Sequence, residues 1–386
     1  MIYTERKFPG ISEGVTPKET DILGRLNEIE ARLAINPNSK GLRQEQRRLT
    51  LMLQQIDLTS LLEKDLGFSI PGRYKEIDAE AGHNLATTFE WIADNNSLQA
   101  ISPATWQKTA EVVAERAIHR EARNNAVDLL SEKDDRHFAF LAGLLEHQGS
   151  LNMGGTGSDR TTDQYPRMII QDRRKAKMEE LQSLFGGHIY EARDPRSSEN
   201  SQSWALALTS GYQNAAMAAR MMPFTVSRQE TYLQFIRWAF SGTSERVSIA
   251  EATPLKPGPV GDSSLYDQLL LSGENPYFLT GLWYLNDQIY YDASKETRHL
   301  TLISVNLDLL RALGTMFGVD PKIKRPAKES TEIHGRRVGF NTNSYRISFT
   351  GRERIMPLID LSRTVCEELG LSPMFCNLER VGWKSI

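Results

Sequence analysis

Apolar residues recur at helical spacing through the first part of the chain. Leu23, Leu26, Ile29 and Leu33 fall on one stripe, and Leu42, Leu49, Leu53 and Ile56 on another; such spacing predicts two amphipathic helices. The second opens on the polar run Arg43, Gln44, Glu45, Gln46, Arg47 and Arg48, and Asn36, Pro37 and Asn38 separate it from the first. An αα-hairpin is the expected arrangement. Ser102 and Pro103 give a further start signal, followed by amphipathic spacing over 105–132. Residues 1–135 are therefore predicted to be a mainly helical N-terminal region. It is expected to pack on the remainder of the chain, with docking of a protein partner as the alternative.

Beyond Asp135 the pattern becomes helix, strand, strand, helix, strand, strand, helix, and then repeats. In the first unit Met168, Ile169 and Ile170 read as a strand, 174–184 as a helix stopping at Phe185-Gly186-Gly187, 188–192 and 204–208 as strands, and 215–221 as a helix. In the second unit 300–305 is the strand, 307–316 the helix, 337–340 and 345–349 the later strands, and 355–368 the closing helix. Glycines at the helix ends suit left-handed caps. Tyr345, Ile347 and Phe349 alternate with Arg346, Ser348 and Thr350, the mark of a strand with one buried and one open face. Between helix and strand, 322–328 reads as a loop punctuated by Pro321 and Pro326, and Gly154 to Gly157 as a hairpin tip without the lysine a phosphate cradle needs.

Composition keeps this picture in the globular range: 386 residues, 40% hydrophobic and 25% charged. No apolar run approaches the roughly 18 to 20 residues that cross a bilayer, and Met1 to Thr20 mixes charges without a secretion-signal core. A soluble intracellular protein with no membrane association is expected. Cys366 and Cys376 are too few for a disulfide framework and lack zinc-site spacing. The net charge of −3 does not advertise nucleic acid, yet residues 1–135 hold 17 Lys and Arg against 22 Asp and Glu, leaving a slightly basic remainder at +2. That remainder can bind phosphates only if its cations share a face.

Two stretches head the repeating units. Phe140-Leu141-Ala142-Gly143-Leu144-Leu145-Glu146-His147-Gln148-Gly149 is the first, and Phe278-Leu279-Thr280-Gly281-Leu282-Trp283-Tyr284-Leu285-Asn286-Asp287 the second, 138 positions later. Together with the element order that follows each, they resemble the motif of the LAGLIDADG homing endonucleases in single-chain tandem form, over about 136–372. The resemblance implies an α+β fold: two pseudo-symmetric αββαββα repeats forming a β-saddle, preceded by the helical region. The corresponding divisions are 1–135, 136–250 for the first repeat, 251–274 for a linker, and 275–386 for the second repeat. It also implies two motif helices packed back to back through Ala142, Gly143, Thr280 and Gly281, since close backbone approach demands small residues.

In that family the carboxylate that holds Mg²⁺ precedes the closing glycine of each motif; here the positions carry Gln148 and Asn286. Two amides do not replace two anions in metal-assisted phosphodiester cleavage. Glu146 and Asp287 are the possible rescuers. Glu146, offset by two residues and so turned about 200° on a helix, is expected to cap or face solvent. Arg173, Arg174, Lys175 and Lys177, at the start of a predicted helix, are basic candidates to support the site, with a solvated surface as their default expectation. The implied nucleic-acid contacts are Arg167, Arg173, Arg193, Lys322, Lys324, Arg325, Arg337 and Arg346. The expected function is a monomeric binder of double-stranded DNA or structured RNA that does not cut, maturase-like or regulatory, with no cofactor. A Mg²⁺-dependent endonuclease or nickase relying on Asp287, and a protein-assembly scaffold with a vestigial nucleic-acid surface, are the alternatives.

Overall fold

A computed structural model describes most of residues 19–374. Residues 1–18, 75–82, 121–129, 155–164, 194–201, 250–272 and 375–386 lie outside the described residues, as do shorter stretches in connections, Asp287 and Gln288 among them. Helix α1 (Glu19–Ile35) turns at Asn36 to Asn38 into α2 (Lys40–Leu66). Ser39 Oγ accepts from the Leu42 amide at 3.5 Å, and Gly67, at φ 72°, closes the helix in the left-handed conformation. The seam between them follows the expected stripes except at Leu23. Ile22 and Ile29 are buried with Leu49 and Met52, whereas Leu23 is 44% exposed. Leu26 and Leu33 of the expected α1 stripe and Leu42, Leu53 and Ile56 of the α2 stripe pack against this core, with Ile22 taking the place of Leu23.

Helices α3 (His83–Asp94) and α4 (Pro103–Arg120) follow, the latter capped where Ser102 Oγ accepts from the Thr105 amide at 3.3 Å. Helix α5 (Asp135–Gln148) is the first motif helix, N-capped by Asp134. It runs directly into β1 (Gly149–Gly154), which pairs with β2 (Tyr165–Asp172). Helix α6 (Lys175–Phe185), β3 (His188–Arg193), β4 (Gln202–Leu208), α7 (Gly211–Met221) and α8 (Gln229–Phe240) complete the first unit. The second consists of α9 (Asn275–Trp283), β5 (Ile289–Asp292), β6 (Thr297–Ser304), α10 (Leu307–Phe317), β7 (Lys322–Arg325), the hairpin β8 (Ser330–Ile333) and β9 (Arg336–Gly339), β10 (Ser344–Thr350) and α11 (Arg352–Leu369).

The two four-stranded antiparallel sheets run β1-β2-β4-β3 and β5-β6-β10-β7. Each therefore places its last strand in the middle, beside its second. Two strand expectations need correction. The strand expected over 337–340 does not join the sheet: among the described residues β9 pairs only with β8. The edge strand is β7, which occupies the stretch expected to be a loop and pairs with β10 through Lys322–Arg346 and Ile323–Tyr345. Pro321 and Pro326 flank this strand instead of interrupting it, and proline is tolerated at the start of an edge strand.

One continuous hydrophobic core runs from Leu58 of α2 to Met374, taking in both sheets. Helix α4 packs on α7 and α3 on α8. Phe89 stacks on Trp106 and Phe240, and Arg116 donates to the Ala239 carbonyl at 3.1 Å. The N-terminal helices thus cover the helical side of the first unit, as expected. Cys366 is buried in this core; no described helix is long and apolar enough to cross a membrane.

Candidate functional site

The closest meeting of the two units is the crossing of α5 and α9. A Cβ on Gly143 would lie 2.0 Å from the Phe278 carbonyl oxygen and 3.1 Å from the Leu282 nitrogen. Reciprocally, one on Gly281 would lie 2.0 Å from the Phe140 carbonyl oxygen and 2.9 Å from the Leu144 nitrogen. Backbone meets backbone, and only hydrogen fits between. Ala142 and Thr280 are fully buried beside it, and the Thr280 hydroxyl returns to the Pro276 carbonyl at 2.8 Å. Phe140 meets Tyr284 edge to face at 5.3 Å. The two motif stretches therefore touch where the sequence places their small residues.

Both helices aim their C-terminal ends at the start of a sheet. Gln148 is the last residue of α5, one position before β1. On the other side the helix stops at Trp283, and Asn286 follows a turn, its side-chain amide donating to the Thr301 carbonyl at 2.6 Å. Asp287 lies outside the described residues. Glu146 does not face solvent. It is 4% exposed and accepts hydrogen bonds from Thr225 Oγ1 at 3.2 Å, Asn306 Nδ2 at 3.2 Å and the Ser227 hydroxyl. Turning away from the helix tip directs it into the molecule, because Thr225, Ser227 and Asn306 of the second unit close over that side. A buried carboxylate needs such donors to offset its lost hydration. Next to it the His147 imidazole is pushed down to about 4 by burial, and its Nδ1 has no hydrogen-bond partner among the described residues.

The helix tips are held from across the crossing. Arg174 caps α6 and takes Asp172 through Nε at 2.8 Å, while its Nη2 donates to the Leu285 carbonyl at 2.9 Å, just past the second motif helix. Asn306 stands at the same place in the other unit. It caps α10 by accepting from Leu309, its amide donates to Ser304, and its side chain reaches Glu146 on the first motif helix. The residue that caps the helix after each unit's second strand thus fastens the opposite tip. Arg228 adds a third fastening, with Nη2 3.4 Å from the Leu145 and 3.2 Å from the Gly149 carbonyls. Cations and amide donors at helix C-termini meet the negative end of the dipole. Lys177, expected on the surface, is buried instead, its Nζ 4.0 Å from the Tyr284 ring centre and 3.6 Å from Glu180.

The sheets present one covered and one open face. On the first, register puts Ser150, Asn152, Arg167, Gln171, Ser203, His188 and Tyr190 on the open side, with Leu151, Met168, Ile170 and Leu206 beneath. Gln171 Nε2 donates to Ser203 Oγ at 2.9 Å. Arg167 lies across Gly154 beside Asn152: its Cδ and the Asn152 Oδ1 are 2.5 and 3.2 Å from where a Gly154 Cβ would stand. On the second sheet the open side carries His299, Thr301, Arg346, Ser348 and Lys322, with Thr301 and Ser348 hydroxyls 3.1 Å apart. The expected alternation along β10 holds, Ile347 and Phe349 being fully buried and Arg346 exposed.

The expected contact residues divide accordingly. Arg167, Lys322 and Arg346 stand on the open faces, and Arg173 is exposed in the bend after β2. Arg193 ends β3, and Lys324 and Arg325 lie in β7. Arg337 sits in the separate β8–β9 hairpin. The uncharged open-face residues, Asn152, Gln171, His188 and Thr301 among them, were not singled out from sequence; only the pairing register identifies their side. Among the described residues no group of His, Cys, Asp and Glu has metal-site geometry.

No family model matches the chain, and no curated protein does. Solved structures do. One is the LAGLIDADG homing endonuclease I-GzeII in complex with its DNA target, 12% identical, covering 61% of this chain and 84% of that one at a TM-score of 0.35. Another is the meganuclease I-SmaMI bound to uncleaveable DNA, 13% identical, covering 64% and 86% at 0.37. A third is the N-terminal LAGLIDADG domain of WhiA, 11% identical, covering 70% and 95% at 0.28. At these identities and TM-scores, the roles of individual residues rest on this chain alone. In its motif stretches and in the solved structures it matches, the chain is similar to LAGLIDADG proteins.

Proposed function

We propose that the two units form one saddle about an approximate two-fold axis at the Gly143–Gly281 crossing, and that its open faces take a nucleic-acid duplex without cutting it. The observation that carries this reading is the make-up of those faces, where hydroxyls, amides, imidazoles and arginines predominate among the described side chains. Base edges are read by the hydroxyls, amides and imidazoles, and phosphates are held by the arginines. A strand pair fits the roughly 12 Å major groove of B-DNA, whereas the A-form groove is too narrow for it. Duplex DNA is therefore the favoured partner over structured RNA.

Three features support loss of cleavage. The tip positions carry Gln148 and Asn286, Asn286 is already bonded to the Thr301 carbonyl, and Glu146 is enclosed by three donors. Without paired anions a Mg²⁺ ion has no strong seat, and the charge stabilisation it supplies to phosphodiester cleavage is missing.

Binding is tested by gel shift on duplex DNA and structured RNA over a salt series. Each phosphate contact contributes about −0.9 to the slope of log affinity against log salt, so Arg167→Gln with Arg346→Gln should flatten it by about 2. Absence of any shift at about 50 mM salt would instead favour a protein-assembly role. The chemistry is tested by nicking of supercoiled plasmid in Mg²⁺ or Mn²⁺. Nicking that Asp287→Asn abolishes would overturn the non-cleaving half of the proposal.

A further inference from the structure

We infer that the free end of the α1–α2 hairpin is a second nucleic-acid contact, which takes phosphates through a stripe of cations on α2. Lys40, Arg43 and Arg47 fall at i, i+3 and i+7, so they share one helix face over about 10 Å. All three are exposed, and among the described residues none has a carboxylate within ion-pair distance. The acid nearest in sequence, Glu45, is turned the other way, bonded to Arg25 of α1 at 2.9 Å. Arg32, at the end of α1, adds an exposed cation 3.8 Å from Glu28. This basic end belongs to the part of the chain with a negative charge balance.

The placement runs against helix electrostatics. The first turn of α1 carries Glu19 and Asp21 and its last turn Arg32, the arrangement the macrodipole favours. Helix α2 begins with Lys40 and Arg43 and has no acid in its first turn. Cations at a helix N-terminus weaken it, so the stripe does not serve the stability of α2. An external anion reverses that sign: it meets the cations and the positive end of the dipole together.

Geometry makes the stripe available. Helix α1 packs on α2 through its own small core, separate from the main one. Gln54 is where α2 hydrogen-bonds to Glu115 of α4; from there back to Lys40 the helix extends about 21 Å. At the turn Ile35 is 86% exposed. The hairpin is anchored through α4, which packs on α7, on the covered side of the first sheet. Its contact is consequently with a stretch of polynucleotide other than the one on the open faces, and it is independent of sequence because it meets phosphates.

The test uses the full chain and a random-sequence duplex long enough to span both contacts. The variants are K40Q/R43Q/R47Q, R167Q/R346Q, and the two combined. The hairpin variant is expected to lower the salt slope by about 2 to 3 and affinity by at least tenfold at about 50 mM salt, equally for every sequence. Its melting temperature should be unchanged or higher, which separates lost contact from lost folding. If the saddle reading fails, R167Q/R346Q binds like wild type while the hairpin variant still loses affinity. An unchanged slope and affinity in K40Q/R43Q/R47Q would overturn the inference. So would duplex binding that persists while binding to phosphatidylserine vesicles is lost, or an unaltered chain that binds no duplex at low salt.

Discussion

A methyl group at Gly143 would stand 2.0 Å from a carbonyl oxygen, and so would one at Gly281. Neither obstacle is a movable side chain, so the helices must separate. Gly143→Ala and Gly281→Ala should each cost about 1 to 3 kcal/mol or more, read as a lower denaturant midpoint. Gly24, in α1 with nothing within 4 Å of its would-be Cβ, provides the opposite sign: Gly24→Ala should stabilise by up to about 1 kcal/mol. His147 makes a pH prediction. Its folded value, about 4, lies below the usual 6.5, so the unfolded chain takes up the proton first as pH falls. Its contribution is complete above about pH 6.5 and is lost as pH falls toward 4. Replacing it by Gln should narrow the stability difference between pH 7 and pH 5. At this scale the small residues of the crossing were legible, because close helix approach leaves few choices. The enclosure of Glu146 was not, since its donors come from Thr225, Ser227 and Asn306, which a helical wheel of 135–148 cannot contain.

Among elements, the two N-terminal ends of α6 and α10 have the most influence. Asn306 both caps α10 and donates to Glu146. Asn306→Ala should therefore cost about 1 to 3 kcal/mol by chemical denaturation, from the lost cap and the exposed acceptor. A cycle with Glu146→Gln should give a coupling above about 0.5 kcal/mol; strict additivity would mean the hydrogen bond carries no energy. Most element positions were legible from period and punctuation: the breaks at Asn36 to Asn38, Gly186 and Gly318 all fall within a residue or two of helix ends. β7 was not. Its run Lys-Ile-Lys-Arg has a single apolar side chain and is bounded by prolines, so only the partner strand reveals it as an edge. The same omission left residues 337–340 to be read as a sheet strand.

For the whole molecule, the change of pattern near residue 135 is not a break in packing, because the main core crosses it. Long-range packing of α3 and α4 on α7 and α8 leaves no local signature in sequence. Hydrogen exchange should accordingly show two classes. Amides of α1 and the first turns of α2, held by the small core of Ile22, Ile29, Leu49 and Met52 and the leucines packed against it, should exchange through a local opening, well below the global free energy. Those of α4, α5 and α7 should exchange only with global unfolding. Exchange of α1 at the global rate would show that the hairpin is bound to the body after all.

The exchange of fastenings between the halves has a further consequence. Asn306 secures the end of α5 while Arg174 secures the chain leaving α9, and the two residues are different because the two ends are. A gene divided between the halves would yield fragments that are each missing a clasp, recoverable as a mixed pair. Two copies of the same half would bring two arginines or two asparagines to a junction that needs one of each. The molecule is thereby committed to being built from unlike halves.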